Sequence, residues 1–321
     1  LTPEVGSSGR FEWDAPPGVW LVGVFETRPG GLVDKGEGPE VDPASREAVL
    51  FHLNEMFGRL EPRLGRFFGS TLVDVATDSW EYAHPPEGGR YWSPALVREA
   101  PGVLGYAFEP RMHALLGYGP GEEEVLEDLE RLERELIQRN YFETVADFVH
   151  ERGLEHRPQV YDRGLERDLL TTYAIADTPE IEERVSIPEA MWAARVLGKP
   201  VISAEAFTHA SVRHMNLRHD GSRGGLSVRE DPSKMWRTTP ALLRGLSNAH
   251  FARGVNRIQI HSFSYSPPGV PDPGWRMYAE IHLNRNVSWW PELEGYARWT
   301  ARNQLVLQAE TDPGGGVGDL A

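Results

Sequence analysis

Strands that alternate with helices predict an α/β fold, and among α/β folds a (β/α)8 TIM-like barrel. Three observations carry this. Mostly apolar runs of strand length are separated by amphipathic helical stretches, the pattern of crossover units on a parallel sheet. Polar residues gather at or just past the ends of several different strands, as at the carboxyl-terminal mouth of a barrel: Glu26, Asp78 with Glu81, His156 with Gln159, Asp177 with Glu180, Glu205, and His261. No GxGxxG or GxxxxGK turn is present, which argues against a doubly wound nucleotide-binding sheet. About six strands are legible, fewer than the eight of a closed barrel. Either two are hidden near the amino terminus or they belong to sequence outside this chain, which would make this an incomplete barrel lacking its first strands.

The elements follow in order. Residues 18–28, GVWLVGVFETR, form an apolar run that predicts a buried strand ended by Pro29-Gly30-Gly31. Asp42-Pro43 supplies an acidic cap and a first-position proline for a helix carrying Val49, Leu50, Leu53, Met56, Phe57 and Leu60 at helical spacing. Residues 71–76 predict a strand running into Thr77-Asp78-Ser79-Trp80-Glu81. The acidic stretch 122–153 places Val125, Leu129, Leu132 and Leu136 on one face, then Phe142, Val145, Phe148 and Val149: one or two helices ending at Gly153. Strands are expected at 154–161 and 173–176. Ser186 and Glu189 have capping-box spacing for a helix ending at Gly198, and strand 200–204 leads to Glu205. A long loop, 207–236, suits a lid or a substrate-facing segment. Thr239-Pro240 opens a helix closing near Gly254, strand 257–262 follows, and a last helix runs over 291–308. The whole of 1–321 reads as one domain of a longer chain.

Composition narrows the partners. The net charge of −15 repels phosphate backbones, and no Lys/Arg run is interleaved with aromatics, so nucleic acid is not an expected partner. No stretch reaches the roughly 18 apolar residues of a membrane span. The absence of cysteine removes thiol nucleophiles, disulfides and thiolate metal sites, yet leaves an oxidising compartment open. No GxSxG elbow is present, and His209, His214 and His219, five apart, do not match a zinc helix motif. The ten tryptophans, among them Trp80, Trp92, Trp236, Trp275, Trp289 and Trp290, serve either as core fillers or as platforms for sugar rings.

Carboxylates are the candidate chemistry. Asp78 and Glu81 lie three apart past a strand, where crowding would raise one pKa and keep a general acid protonated. Glu205 is the single acid in VISAEAF, and a carboxylate in an apolar run needs a partner or a task. Two such acids on separate strands are what glycosidic cleavage requires. Asp177, Glu180, Glu182 and Glu183 form a third acidic group with three competing uses: orienting a sugar hydroxyl, ligating a hard cation such as calcium, or capping the next helix. His156, Gln159 and Tyr161 on one strand, and His261, Phe263 and Tyr265 on another, are expected to share a side of their strands, the polar ones positioning sugar hydroxyls.

With these residues in view, TDSWE, YWSP and LLGYGP resemble the segment of glycoside hydrolase family 106, the α-L-rhamnosidases, in which a strand-end DSxE group precedes a WTP stretch and a GYD turn. HRPQVY, ADTPEIE, KPVISAEAFT, IQIHSFSYSP and NRNVSWWPELEGYARWTARNQLVLQ follow in the family's order, over residues 16–312. Two departures stand out: Trp92-Ser93-Pro94 replaces WTP, and Gly117-Tyr118-Gly119 lacks the Asp of GYD. The resemblance implies a (β/α)8 catalytic domain within a longer, multidomain bacterial protein, secreted or periplasmic. It implies inverting hydrolysis of terminal α-L-rhamnosides in oligosaccharides or glycosides, and dependence on calcium. Glu81 is similar to the general acid, with Asp78 as its neighbour, and Glu205 to the general base. Glu180 falls at a metal-associated position, and His261 and Trp290 are implied pocket residues. A retaining hydrolase for another sugar, or a carbohydrate-binding barrel without catalysis, would carry the same marks.

Overall fold

The computed structural model describes residues 13–27, 41–78, 90–119, 121–160, 168–182, 187–208, 216–219, 226–229, 236, 238–275 and 281–311. The chain divides into two compact units, Leu1–Leu72 with Glu81–Arg152, and Val73–Trp80 with Gly153–Ala321.

The first unit is helical. Helix α1 (Arg46–Leu64) starts at Ser45, whose side chain accepts the Ala48 amide. The expected start at Asp42-Pro43 is therefore three residues early. Asp42 is occupied elsewhere: its carboxylate accepts the Tyr91 and Ser93 hydroxyls, each at 2.5 Å, and the Ala44 amide. Val49, Leu53 and Phe57 make the buried stripe of α1. Helix α2 (Pro94–Leu104) has Ser93 as its cap and proline in its first turn, and stops at Gly105, whose φ of 79° is a left-handed conformation that glycine adopts without strain. Helix α3 (Glu122–Ile137) opens on three glutamates, the sign its positive end favours, and runs through one π turn (Gln138–Glu143) into α4 (Thr144–His150). Leu96, Phe108, Leu129, Leu132 and Leu136 form one hydrocarbon core. Each buried side chain of that size contributes about 1.5–3 kcal/mol.

The second unit is built on parallel strands. Strand β1 (Asp74–Thr77) pairs with β2 (Glu155–Pro158); β3 (Glu180–Glu182) pairs with β4 (Ser203–Ala206). A bridge between Gln159 and Glu180 joins these two sheets. Past β5 (Asn216–His219) and β6 (Leu226–Arg229), an antiparallel hairpin, β7 (Arg257–Ile260) adds to β4. The parallel order is β1-β2-β3-β4-β7, in chain order, with α5 (Leu169–Ile175), α6 (Ile187–Val196) and α7 (Pro240–Arg253) between β2 and β3, β3 and β4, and β4 and β7. Among the described residues this array is open, not a closed eight-stranded barrel. A parallel bridge from Phe263 to Leu283 lies beyond β7. Helix α8 (Leu293–Thr311) covers the β7 edge: Gln304 accepts the Ile258 amide and Gln308 donates to the Asn256 carbonyl, each at 2.8 Å. Edge groups satisfied in this way are closed to a foreign strand.

Several expectations need correction. Residues 18–27 form no strand, and Val19, Trp20, Leu21, Val22, Val24 and Phe25 are exposed. An apolar β-branched run expresses strand propensity, but a strand exists only against a partner, and none of the described residues pairs with this one. Glu26 is therefore not at a strand end. Residues 173–175 are helical, because Asp168 caps α5 through the Thr171 amide, and the strand begins only at Glu180. The long segment read as a lid or substrate-facing loop contains the hairpin β5–β6. By contrast α7 starts at Thr239, which accepts the Leu242 amide, and ends at Gly254, as expected. Ser186 lies outside the described residues.

Candidate active site

Alternation along paired strands sorts the second unit into two faces. The register Asp74↔Glu155, Glu180↔Ser203↔Arg257 and Glu182↔Glu205↔Gln259, with Gln159 against Glu180, puts one set of side chains on one face. That set is polar: Asp74, Arg157, Gln159, Glu180, Ser203, Glu205 and Arg257. The other face carries Ile181, Ala204, Ala206 and Ile258, all buried.

A chain of donors and acceptors crosses the polar face. Asp74 accepts from Arg157 through Oδ1 and from Arg257 through Oδ2, each at 3.2 Å. Arg157 also donates to Oε2 of Glu180, as does the Ser203 hydroxyl at 2.6 Å. Burial opposes the charge of Arg157, and the carboxylates of Glu180 and Asp74 more than restore it, so its pKa stands above the ordinary value. The Nε2 of Gln159 donates to Oε1 of Glu180 at 3.2 Å and to Oε2 of Glu205 at 2.6 Å. The other oxygen of Glu205 lies 3.4 Å from Nε2 of His261. Burial pushes the Glu205 carboxyl upward; the Gln159 hydrogen bond and His261 pull it down, and the charges of Asp78 and Glu182 push it up again, leaving it raised.

The structure thus brings Asp78, Gln159, Glu180, Glu205 and His261 to one face. Glu81 lies outside the described residues. His156 goes elsewhere: three residues from Gln159, an odd separation, it cannot share its face. It is fully buried, with Nε2 3.0 Å from the Thr77 hydroxyl. Asp177, now before a strand instead of after one, accepts the His156 amide at 2.7 Å. Phe263 stacks tilted on Trp290 with ring centroids 5.9 Å apart, and Tyr265 is 70% exposed. Of the other tryptophans, Trp289 is buried, Trp92 packs on Phe108, and Trp275 is exposed. Arg157, Asp74, Ser203 and Arg257 were not singled out from sequence, although a signal was there: EHRPQ, EIE, SAE and RIQIH place polar residues two apart, the period of one strand face.

Glu180 does not fit the implied calcium. A calcium ligand offers free carboxylate oxygen, whereas both oxygens of Glu180 are engaged by Arg157, Ser203 and Gln159 and its side chain is 4% exposed. A cation there would stand against a guanidinium. Among the described residues no three His, Asp or Glu side chains group as a metal site.

Parallel strands with helical crossovers here bring acids from separate strands to one polar face. Residues 1–318 match the family model of glycoside hydrolase family 106, described as alpha-L-rhamnosidase, and the chain belongs to that family. It is 24% identical over 331 aligned residues to a putative beta-glucuronidase of Formosa agariphila, covering 96% of this chain and 25% of that protein. The rhamnosidase structure from Novosphingobium sp. PP1Y shares the fold at a TM-score of 0.60 and 21% identity, over 84% of this chain and 25% of the other. The chain thus spans about a quarter of the length of these relatives.

Proposed function

We propose that this chain is the catalytic part of an inverting glycoside hydrolase acting on terminal α-L-rhamnosides, and that the parallel array is part of a closed (β/α)8 barrel. One observation carries the reading: Glu205 is a carboxylate 16% exposed, raised in pKa, on a polar strand face that also holds His261 and the charge of Asp78. A group with those properties is suited to accept a proton. In the proposed reaction Glu81 protonates the glycosidic oxygen while Glu205 takes a proton from the attacking water on the opposite side of the ring. His261 beside Glu205, and Trp290 with Phe263, receive the sugar. Asp78 is a like charge that raises the pKa of Glu205. No step passes through calcium.

The test is hydrolysis of an aryl α-L-rhamnoside with a poor leaving group. Glu81→Gln and Glu205→Gln should each lower turnover by about 10²–10⁴-fold. Near-normal turnover removes the residue from its role, and a first-formed anomer of retained configuration makes Glu205 a nucleophile. A second reading, hydrolysis of another sugar, is favoured by the Formosa agariphila relative, a putative beta-glucuronidase. A panel of aryl glycosides containing both sugars separates the two, and sugar affinity without hydrolysis of any of them would leave a binding protein.

A further inference from the structure

We infer that Gln159 is a positioning residue that holds Glu205 in its working orientation by anchoring it to a buried ion-pair chain. The inference rests on reading Glu205 as the proton acceptor. Gln159 is 2% exposed, and its primary amide carries two N–H donors. Both go to carboxylates, Glu205 at 2.6 Å and Glu180 at 3.2 Å. Glu180 is itself immobilised: Arg157 and Ser203 take its second oxygen, and its backbone carbonyl accepts the buried Tyr173 hydroxyl at 3.1 Å. Behind Arg157 stands Asp74, which Arg257 also holds.

The successive members Asp74, Arg157, Glu180 and Glu205 belong to β1, β2, β3 and β4, so the sheet register sets their spacing. Gln159 is the neutral link. A second arginine at its place would pair Glu205 outright and suppress its basicity; an amide fixes the carboxylate while leaving the charge available. One oxygen of Glu205 is thereby tied back. The other, beside His261, is left for the water. Among the described residues, the other charges acting on Glu205 are Asp78 past β1 and Glu182 on β3. Positioning of this kind is worth much when the reacting geometry must hold within fractions of an ångström.

A double-mutant cycle in the full-length protein tests it, with an aryl α-L-rhamnoside as substrate. Gln159→Met keeps the length and removes the donors. It should lower kcat by about 10–100-fold with KM changed less than about twofold, the pattern of an interaction that matters in the transition state. In a Glu205→Ala background, with azide added as external nucleophile, the same change should have no further effect. An equal loss in both backgrounds, or an unchanged kcat with Glu205 present, overturns the inference. Near-normal turnover of Glu205→Ala alone overturns the reading on which it rests, a distinct result. If Gln159→Met does not fold, the cycle is run with Gln159→Asn, which keeps the amide but shortens its reach.

Discussion

The core of the helical unit and one face of the parallel strands bury opposite kinds of surface. Between α2, α3 and their neighbours lie Leu96, Phe108, Leu129, Leu132 and Leu136, a dry hydrocarbon core. On one face of the parallel strands lie Asp74, Arg157, Glu180, Gln159 and Glu205, joined by hydrogen bonds and ion pairs. The first kind of burial is favourable in proportion to area and indifferent to pH. The second carries a desolvation cost that only complete pairing offsets. A site able to bind and react draws on the second kind.

The largest effect that sharpens this contrast is at Glu205. Glutamine there should remove turnover, by about 10²–10⁴-fold, yet raise the thermal midpoint at neutral pH. The sign follows from its raised pKa: the folded state holds this proton more tightly than the unfolded chain, so ionising Glu205 above the usual glutamate range costs stability. The same shift should move the acid limb of kcat/KM above the ordinary glutamate range.

Next comes Arg157→Met, which strands Glu180 without its cation and leaves Asp74 to Arg257. Denaturant unfolding should show a loss of ~3–5 kcal/mol. Leu132→Ala, in the helical core, should cost ~2–5 kcal/mol by cavity formation, and equally at pH 5 and pH 7. Pairing the two variants across pH breaks the comparison if Leu132→Ala proves the more pH-sensitive. His250 adds a smaller titration. Burial, then the nearby Arg253 charge, lowers its pKa to about 4, and its Nδ1 has no hydrogen-bond partner among the described residues. The unfolded chain therefore binds a proton that the folded chain refuses, and stability should fall as pH drops from the ordinary histidine range toward 4, by up to ~3 kcal/mol. His250→Phe should flatten that slope. At the small end, Glu55→Gln, breaking the exposed α1 pair with Arg59, should change stability by less than about 0.5 kcal/mol.

Much of the local architecture was legible. Thr239 and Gly254 marked the ends of α7, and the amphipathic stripe of α3 was read with its residues correct. Glu205 stood out as a lone acid in an apolar run and proved to be at the centre of the polar face. Failures came where short apolar runs had to choose a state. Tyr173-Ala174-Ile175 went into α5 because Asp168 capped it, and VWLVGVF pairs with no strand among the described residues. His156 was placed beside Gln159 when parity alone separated them.

The sequence by itself determined the helix ends, the strand candidates, the acids available and the family to which the chain belongs. Those features depend on caps, turns and periodicities spanning only a few residues. Only the tertiary structure decided which side chains meet: Arg157 with Glu180 across 23 residues, Gln159 with Glu205 across 46, Arg257 with Asp74 across 183. The reason is register. A one-residue slip between paired strands would turn every side chain to the opposite face, and no local signal states which pairing is made.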